Sequence, residues 1–510
     1  MAQTADKVHQ SPHKVGVLCF YRGMLKPTAA KQHAFEMVTL EELVPKDHLL
    51  RLIDQHIDFG FIREASAPLY SADNGRPAID PVQLFKLLFV GYLFGVRSER
   101  RLVQEVQVNV AYRWFLGLGL TEKVMDASTL SQNRRRRFAG TEIEQTIFDR
   151  IVQQAIDAGL IGGRVLYTDS THLKASANKN KFEALQVDIE PAQYLAELEQ
   201  AVNADRAEHG KKPLAPDTRP LGTKELKVSS TDPDSGYMTR DNKPPGFFYL
   251  DHRTVDGVHS LIVDTHVTAG NVHDSQPYIA RLDRVRERFD LAVTAVGLDA
   301  GYFTPTVCEQ LVKRDIYAVM GYRGPTAHKP GYFYKREFVY DAVADSYTCP
   351  QGQVILYNTT NRVGYREYHS QANQCVQCPS KDRCTQSQNG VKVIVRHVWE
   401  DSKETVNANR LTDTGKRIYK RRKETVERSF ADAKELHGHR YARFRGLAKV
   451  RAQSLLAAAC QNMKKMAQLL QAAAVRRLLN RHNAFKQLTK VIRRFLPNNL
   501  RENSIELAPN

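Results

Sequence analysis

The sequence predicts a mixed α/β chain: an all-helical N-terminal domain, then an α/β layer interrupted by two insertions. Three observations predict it. Apolar residues between Leu40 and Val110 recur at helical spacing. From Gly163 onward, short apolar β-rich runs alternate with helical ones. The 510 residues are too many for one core, so several domains are expected. Lys and Arg outnumber Asp and Glu, 74 to 56, for a net charge of +18, which favours a polyanionic partner, nucleic acid first.

Residues 1–32 show no periodicity and read as a loose tail. Residues 40–62 have a helical pattern. Asp80-Pro81 supplies an N-cap and a first-turn proline, and Leu84, Leu87, Leu88 and Tyr92 follow at helical spacing. Ser98 caps a helix carrying Leu102, Val103, Val106 and Val110. Asp126 or Ser128 caps a third over 129–138. Short helices with tight joints resemble a helix-turn-helix arrangement, in which a basic helix enters the major groove. Residues 33–150 are therefore read as a helical DNA-binding domain contacting DNA through Arg134, Arg135, Arg136 and Arg137. Four consecutive arginines point around the whole helix, so at most two face one groove.

Strands are expected over 164–168, 246–255, 260–268, 293–298 and 316–320, with Asp256-Gly257 as a hairpin signal. Helices are expected over 275–289 and 305–313. An antiparallel hairpin followed by helix-strand-helix-strand suits a ribonuclease-H-like layer, in which the first and fourth strands are neighbours. Residues 160–180, 246–325 and 406–475 build this layer, closed by a long helix over 414–437 and an Ala/Leu-rich one over 448–477. Residues 181–245 form a helical and loop insertion, 326–405 a Cys-containing β-rich insertion, and 476–510 a basic tail.

Asp169 closes the first apolar run and Asp299 the fourth. Two strand-end carboxylates on neighbouring strands meet, and a helix can bring a third. On the 414–437 helix, Lys420, Lys423, Glu427, Ala431 and Lys434 share one face at three- and four-residue spacing. Glu427 is the third carboxylate and Glu424, one turn away, its rival. The flanking lysines suit DNA phosphates. Taken singly, such residues are more often turn formers or surface ion-pair partners. Three together attract hard divalent cations, Mg²⁺ above all or Mn²⁺, and two such ions can clamp both oxygens of a phosphodiester.

The chain resembles DDE-type transposases of bacterial insertion sequences. The resemblance is to the insertion-sequence-four and -five superfamily, and within it to group eleven-eighty-two. It is carried by Tyr167 to Ala175, Thr268 to Ser275, Leu298 to Tyr302, and Glu427 to Lys434. The last fits the Glu-x6-Lys part of the superfamily's Tyr-x2-Arg-x3-Glu-x6-Lys signature. The signature's Tyr and Arg fall on Lys420 and Lys423, while Tyr419 and Arg422 stand one residue early. The resemblance implies cleavage at transposon ends and strand transfer by a metal-binding triad of Asp169, Asp299 and Glu427. It implies double-stranded DNA as partner and a homodimer that synapses two ends. The alternatives are a ribonuclease-H-like nuclease without transposition and a catalytically silent DNA-binding regulator.

Cys349, Cys375, Cys378 and Cys384 cluster in the second insertion. Cys375-x2-Cys378 is a metal-knuckle spacing, so a structural zinc is set against unligated thiols. Trp399 is expected to be buried, with stacking on a displaced base as the alternative; His172 and His273 are expected to serve as scaffold. No apolar run is long enough to span a bilayer and the N-terminus lacks a signal-peptide core, so a cytoplasmic location is expected.

Overall fold

The computed structural model describes residues 37–71, 78–188, 194–216, 222–240, 243–322 and 331–495. The expected N-terminal tail, the end of the basic tail and short pieces of both insertions lie outside the described residues.

Among the described residues, eight α-helices precede the first strand: α1 (Leu40–Leu43), α2 (Leu49–His56), α3 (Phe61–Ser66), α4 (Pro81–Leu93), α5 (Glu99–Val108), α6 (Val110–Leu116), α7 (Ala127–Gln132) and α8 (Ile143–Asp157). The single pattern over 40–62 resolves into three short helices. Pro45 forces the break: it biases Val44 out of the helical region, to φ −92° and ψ 120°. The Asp80 side chain accepts from Val82 N–H and Ser98 from Arg101 N–H, as the capping pattern requires. The third expected helix is shorter: α7 gives way to a π-turn over Asn133–Arg137.

The central sheet holds β1 (Val165–Lys174), β4 (Gly236–Arg240), β5 (Lys243–Asp256), β6 (Ile262–Ala269), β7 (Ala295–Leu298) and β8 (Tyr317–Met320). The antiparallel pair β2 (Phe182–Asp188) and β3 (Thr223–Ser229) forms a separate two-stranded sheet. Across the sheet the order is β6-β5-β1-β7-β8, and β4 pairs the other end of β5. Strands β1, β7 and β8 are parallel, while β5 runs against both β1 and β6. Helix α9 (Leu195–Glu208) lies in the first insertion; α10 (Tyr278–Phe289) and α11 (Pro305–Lys313) are the crossovers into β7 and β8.

The second insertion is an antiparallel sheet in the order β13-β12-β11-β10-β9: β9 (Val339–Asp341), β10 (Ser346–Thr348), β11 (Val354–Thr360), β12 (Tyr365–His369) and β13 (Val393–His397). Helix α12 (Ala372–Val376) bridges β12 and β13. The two insertions dock on each other. Asp205 of α9 accepts from Arg366 Nε (2.5 Å), and His209 stacks on Tyr357 with ring centres 3.8 Å apart.

Then follow α13 (Glu400–Asn409), α14 (Asp413–Arg421), α15 (Val426–Leu436) and α16 (Leu447–Phe495). The expected continuous helix over 414–437 is broken: a 3-10 turn spans Arg422–Glu424, and Thr425 leaves helical geometry at φ −106° and ψ −95°. Helix α16 runs beyond 477 into the segment expected to be a tail. Its small buried residues Ala457, Ala458 and Ala459 let it lie against both the N-terminal helices and the sheet, so the two regions share one core. Among the described residues no helix is long and apolar enough to cross a membrane.

Candidate active site

Parallel pairing of β1 with β7 ends at Thr168 and Leu298, so Asp169 and Asp299 leave the paired segment side by side. Asp169 is not at a strand end, as the apolar run suggested. Strand β1 continues to Lys174 because its polar second half still pairs with β5, with Asp169 opposite Arg253. Asp299 caps the turn that follows β7, its Oδ1 accepting the Ala300 N–H at 2.7 Å. Glu427 lies in the first turn of α15.

The residue that joins them is Arg422. Its side chain is only 5% exposed. Its Nη2 donates to Asp169 Oδ2 at 2.8 Å, and its Nη1 is 3.8 Å from both Asp299 Oδ1 and Glu427 Oε1. Three carboxylates from β1, the end of β7 and α15 thus converge on one guanidinium. Burial pushes the Asp169 carboxyl up to about 6; Arg422 and the Ser170 N–H pull it down, and Asp299 and Asp274 add to the rise. The Asp299 and Glu427 side chains remain 45% exposed, so the cluster opens to solvent on one side.

The broken helix explains the signature's one-residue offset. The 3-10 turn and Thr425 absorb one residue, and this brings Arg422, not Lys423, onto Glu427. Tyr419 stands beneath, the Arg422 guanidinium carbon 5.4 Å from its ring centre. Gly321 must be glycine here: a Cβ on it would lie 2.7 Å from the Tyr419 hydroxyl and 2.9 Å from Ala300 N. The same break removes the single helical face expected to carry Lys420, Lys423, Glu427 and Lys434. Lys420 and Lys423 are exposed, and Lys434 is half-buried. Glu424 is exposed within the 3-10 turn.

Sequence reasoning missed three residues besides Arg422. Asp274 accepts from Ser170 Oγ at 2.8 Å, beside Asp169. Beneath α15, Asp251 and Arg253 on β5 are fully buried and paired at 2.8 Å. Asp251 also accepts from Thr265 Oγ1 (2.6 Å) and contacts His439 Nε2 (2.9 Å). Arg253 donates to Ser429 Oγ (3.1 Å) and Gln461 Oε1 (2.7 Å), with its guanidinium over the Phe430 ring. This network fastens α15, and so Glu427, to β5 and α16. Burial opposes ionisation of Asp251, but the Arg253 charge and the contacts from His439 and Thr265 outweigh it and hold the carboxyl well below its usual range.

The arginine run divides. Arg134 pairs with Glu99 and lies over the Phe444 ring at 4.1 Å. Arg137 bonds Asn133 and lies over Tyr70 at 3.9 Å. Both are thereby engaged in packing within the chain, so of the four arginines expected to contact DNA these two have partners in the protein. Arg135 and Arg136 are exposed. Trp399 is buried against Leu198 and Val202, so it has no face for a base. His273 is exposed and bonds Ser275 Oγ (2.8 Å) within its own loop; His172 meets the Phe248 ring edge to face. The four cysteines Cys349, Cys375, Cys378 and Cys384 line one pocket. Among the described residues no group of three or more His, Cys, Asp or Glu side chains is arranged to hold a metal ion.

Two family models match this chain. Residues 38–136 match Transposase domain (DUF772), and residues 348–467 match Transposase DDE domain. The chain is a DDE-type transposase. The first match covers helices α1 to α7 of this transposase; the second covers most of the β-insertion, Arg422 and Glu427. Asp169 and Asp299 lie between the two, and their convergence with Glu427 is seen in the structure. A search of curated proteins found no match. Among solved structures, the piggyBac transposase synaptic complex with hairpin DNA is 10% identical, covering 91% of this chain and 86% of that one at a TM-score of 0.32. The Mos1 mariner paired-end complex with Mn is 12% identical, covering 51% and 64% at a TM-score of 0.15. At those TM-scores neither likeness carries weight for the site.

Proposed function

We propose that Asp169, Asp299 and Glu427 are the catalytic carboxylates of a metal-dependent DNA cleavage and strand-transfer site. The observation that carries the reading is the approach of all three to the single buried guanidinium of Arg422. The strand order β6-β5-β1-β7-β8 supports a ribonuclease-H-like layer, with the first and fourth of its strands adjacent. Tyr419, Arg422, Glu427 and Lys434 support the finer resemblance to the insertion-sequence-four and -five superfamily and its group eleven-eighty-two.

The donor set fits a hard cation: three carboxylates face one guanidinium, and anionic oxygens are the donors Mg²⁺ and Mn²⁺ take. Asp169, Asp299 and Glu427 would hold the ion or ions, which supply an activated water or 3′-hydroxyl and stabilise the charge of phosphoryl transfer. Without metal, Arg422 partly neutralises the cluster. With an ion and DNA bound, its guanidinium would be free to bond a phosphate oxygen, for which its planar fork is suited. Asp274 holds Ser170 and thereby the strand beside Asp169. Exposed Arg135, Arg136, Lys420 and Lys423 are the proposed phosphate contacts, and two copies of the chain would hold two DNA ends. The cysteines belong to the insertion and not to this cluster.

A strand-transfer assay with DNA carrying the element's own ends and a target plasmid tests the reading. Joined products in Mg²⁺ or Mn²⁺ support it. Cleavage without joining would favour a nuclease, and neither would favour a silent DNA-binding protein.

A further inference from the structure

Cys349 lies in the turn between β10 and β11, while Cys375 and Cys378 flank the end of α12 and Cys384 follows shortly after. All four nevertheless line one pocket, with Phe333, Phe338 and Ile355. Separate turns of an insertion have no reason to bring four thiols together unless the thiols act together.

The turn at Cys349 is built toward its sulfur. The backbone N–H groups of Gln351 and Gln353 both donate to Cys349 Sγ, at 3.4 and 3.3 Å. Gly352 closes this turn by donating to Cys349 O at 2.8 Å, in the left-handed region at φ +77°. Two N–H donors on one sulfur fix the direction in which the Cys349 side chain points. On the other side, Cys378 N–H closes onto Cys375 O (3.3 Å) and Cys384 N–H onto Lys381 O (2.9 Å), presenting three sulfurs from short turns.

The insertion's own apolar core is small. Its buried core is Phe338, Tyr347, Ile355, Tyr368 and Ile394, with Cys349 and Cys384 packed against it. Cores this small are commonly supplemented by a metal or a disulfide. Four cysteine sulfurs are soft donors, which select zinc over hard cations.

We propose that Cys349, Cys375, Cys378 and Cys384 bind one structural Zn²⁺ that ties the β10–β11 turn to the 375–384 segment. The ion closes the end of the inserted sheet and takes no part in phosphoryl transfer. Binding requires the cysteine side chains to turn inward, into the pocket they already line.

The full chain, purified without added metal, tests this by elemental analysis and by cobalt exchange. About one zinc per chain is expected, released by a mercurial thiol reagent, with Co²⁺ giving the intense visible absorption of a tetrahedral thiolate site. Cys375→Ser with Cys378→Ser should lose the metal, whereas Cys308→Ala, buried elsewhere, should keep it. A wild-type chain with neither bound zinc nor a Co²⁺ spectrum overturns the proposal, and so does zinc retained by the double variant. Should the double variant not fold, the wild-type metal count still decides. None of these readouts depends on DNA cleavage, so a failure of the transposition reading leaves them intact.

Discussion

Two arginine–aspartate pairs adjoin helix α15, and they differ in what surrounds them. Arg253–Asp251 beneath the helix and Arg422–Asp169 at its start both close at 2.8 Å. The first is completely buried, and its carboxylate is further held by Thr265 and His439. In the second the guanidinium is buried, but Asp299 and Glu427 are 45% exposed and share the same cation. The balanced pair is structural: each partner of a dry ion pair would be left as an uncompensated buried charge without the other. The unbalanced one has more anion than its single cation neutralises and is open to solvent on one side. The same contact distance therefore marks a fastener in one place and a candidate active site in the other.

The sharpest way to break this comparison is to remove the carboxylate of the buried pair. Asp251→Ala strands the Arg253 charge and should cost about 3–5 kcal/mol in urea unfolding. Loss of less than about 1 kcal/mol would mean the network does not fasten α15. The pair also sets an acid limit. Asp251 is depressed in the folded state, so its stabilisation is fully present above the unfolded value of about 3.9 and is lost as pH falls toward the folded value. Asp251→Asn should therefore flatten the acid limb of the stability curve, measured by thermal melts from pH 7 downward.

Arg422→Ala should cost less, about 1–3 kcal/mol, because its carboxylates are partly solvated. Added Mg²⁺ should restore part of that loss. A variant indifferent to Mg²⁺ would argue that the carboxylates do not collect a cation. Smaller again is Arg134→Ala, about 1–2 kcal/mol for its ion pair and ring contact. Arg135→Ala and Arg136→Ala should change stability by under about 0.5 kcal/mol. If they touch phosphate, each lowers the log–log salt slope of DNA binding by about 0.9, read by anisotropy.

Much of the layer was legible because its physics is local. Apolar runs ending in acidic residues marked β1 and β7, and the expected adjacency of first and fourth strands brought Asp169 and Asp299 together. The continuation of β1 past Asp169 was hidden because Ser170, Thr171 and His172 do not extend the apolar run, and their pairing with β5 exists only in the fold. The helix break at Thr425 carries no Gly or Pro signal, so periodicity ran straight through it and the signature's Arg fell on Lys423 in place of Arg422. The displaced Tyr419 and Arg422 were the available hint. Asp251 and Arg253 could not be read at all, since Ser429, His439 and Gln461 lie 176 to 208 residues away from their partners on β5. The split of the arginine run was half legible: helical geometry forbade a common face, but Phe444 and Tyr70 as the partners of Arg134 and Arg137 required the fold.

The central claim is that Glu427, not Glu424, completes the site with Asp169 and Asp299. Mg²⁺-dependent cleavage of DNA bearing the element's ends, compared for Glu427→Gln and Glu424→Gln with DNA binding measured in parallel, tests it most directly. The convergence on Arg422 predicts that Glu427→Gln, like Asp169→Asn and Asp299→Asn, binds DNA but does not cut it, while Glu424→Gln cuts normally. A Glu427→Gln protein that cleaves, beside a dead Glu424→Gln, would contradict the account.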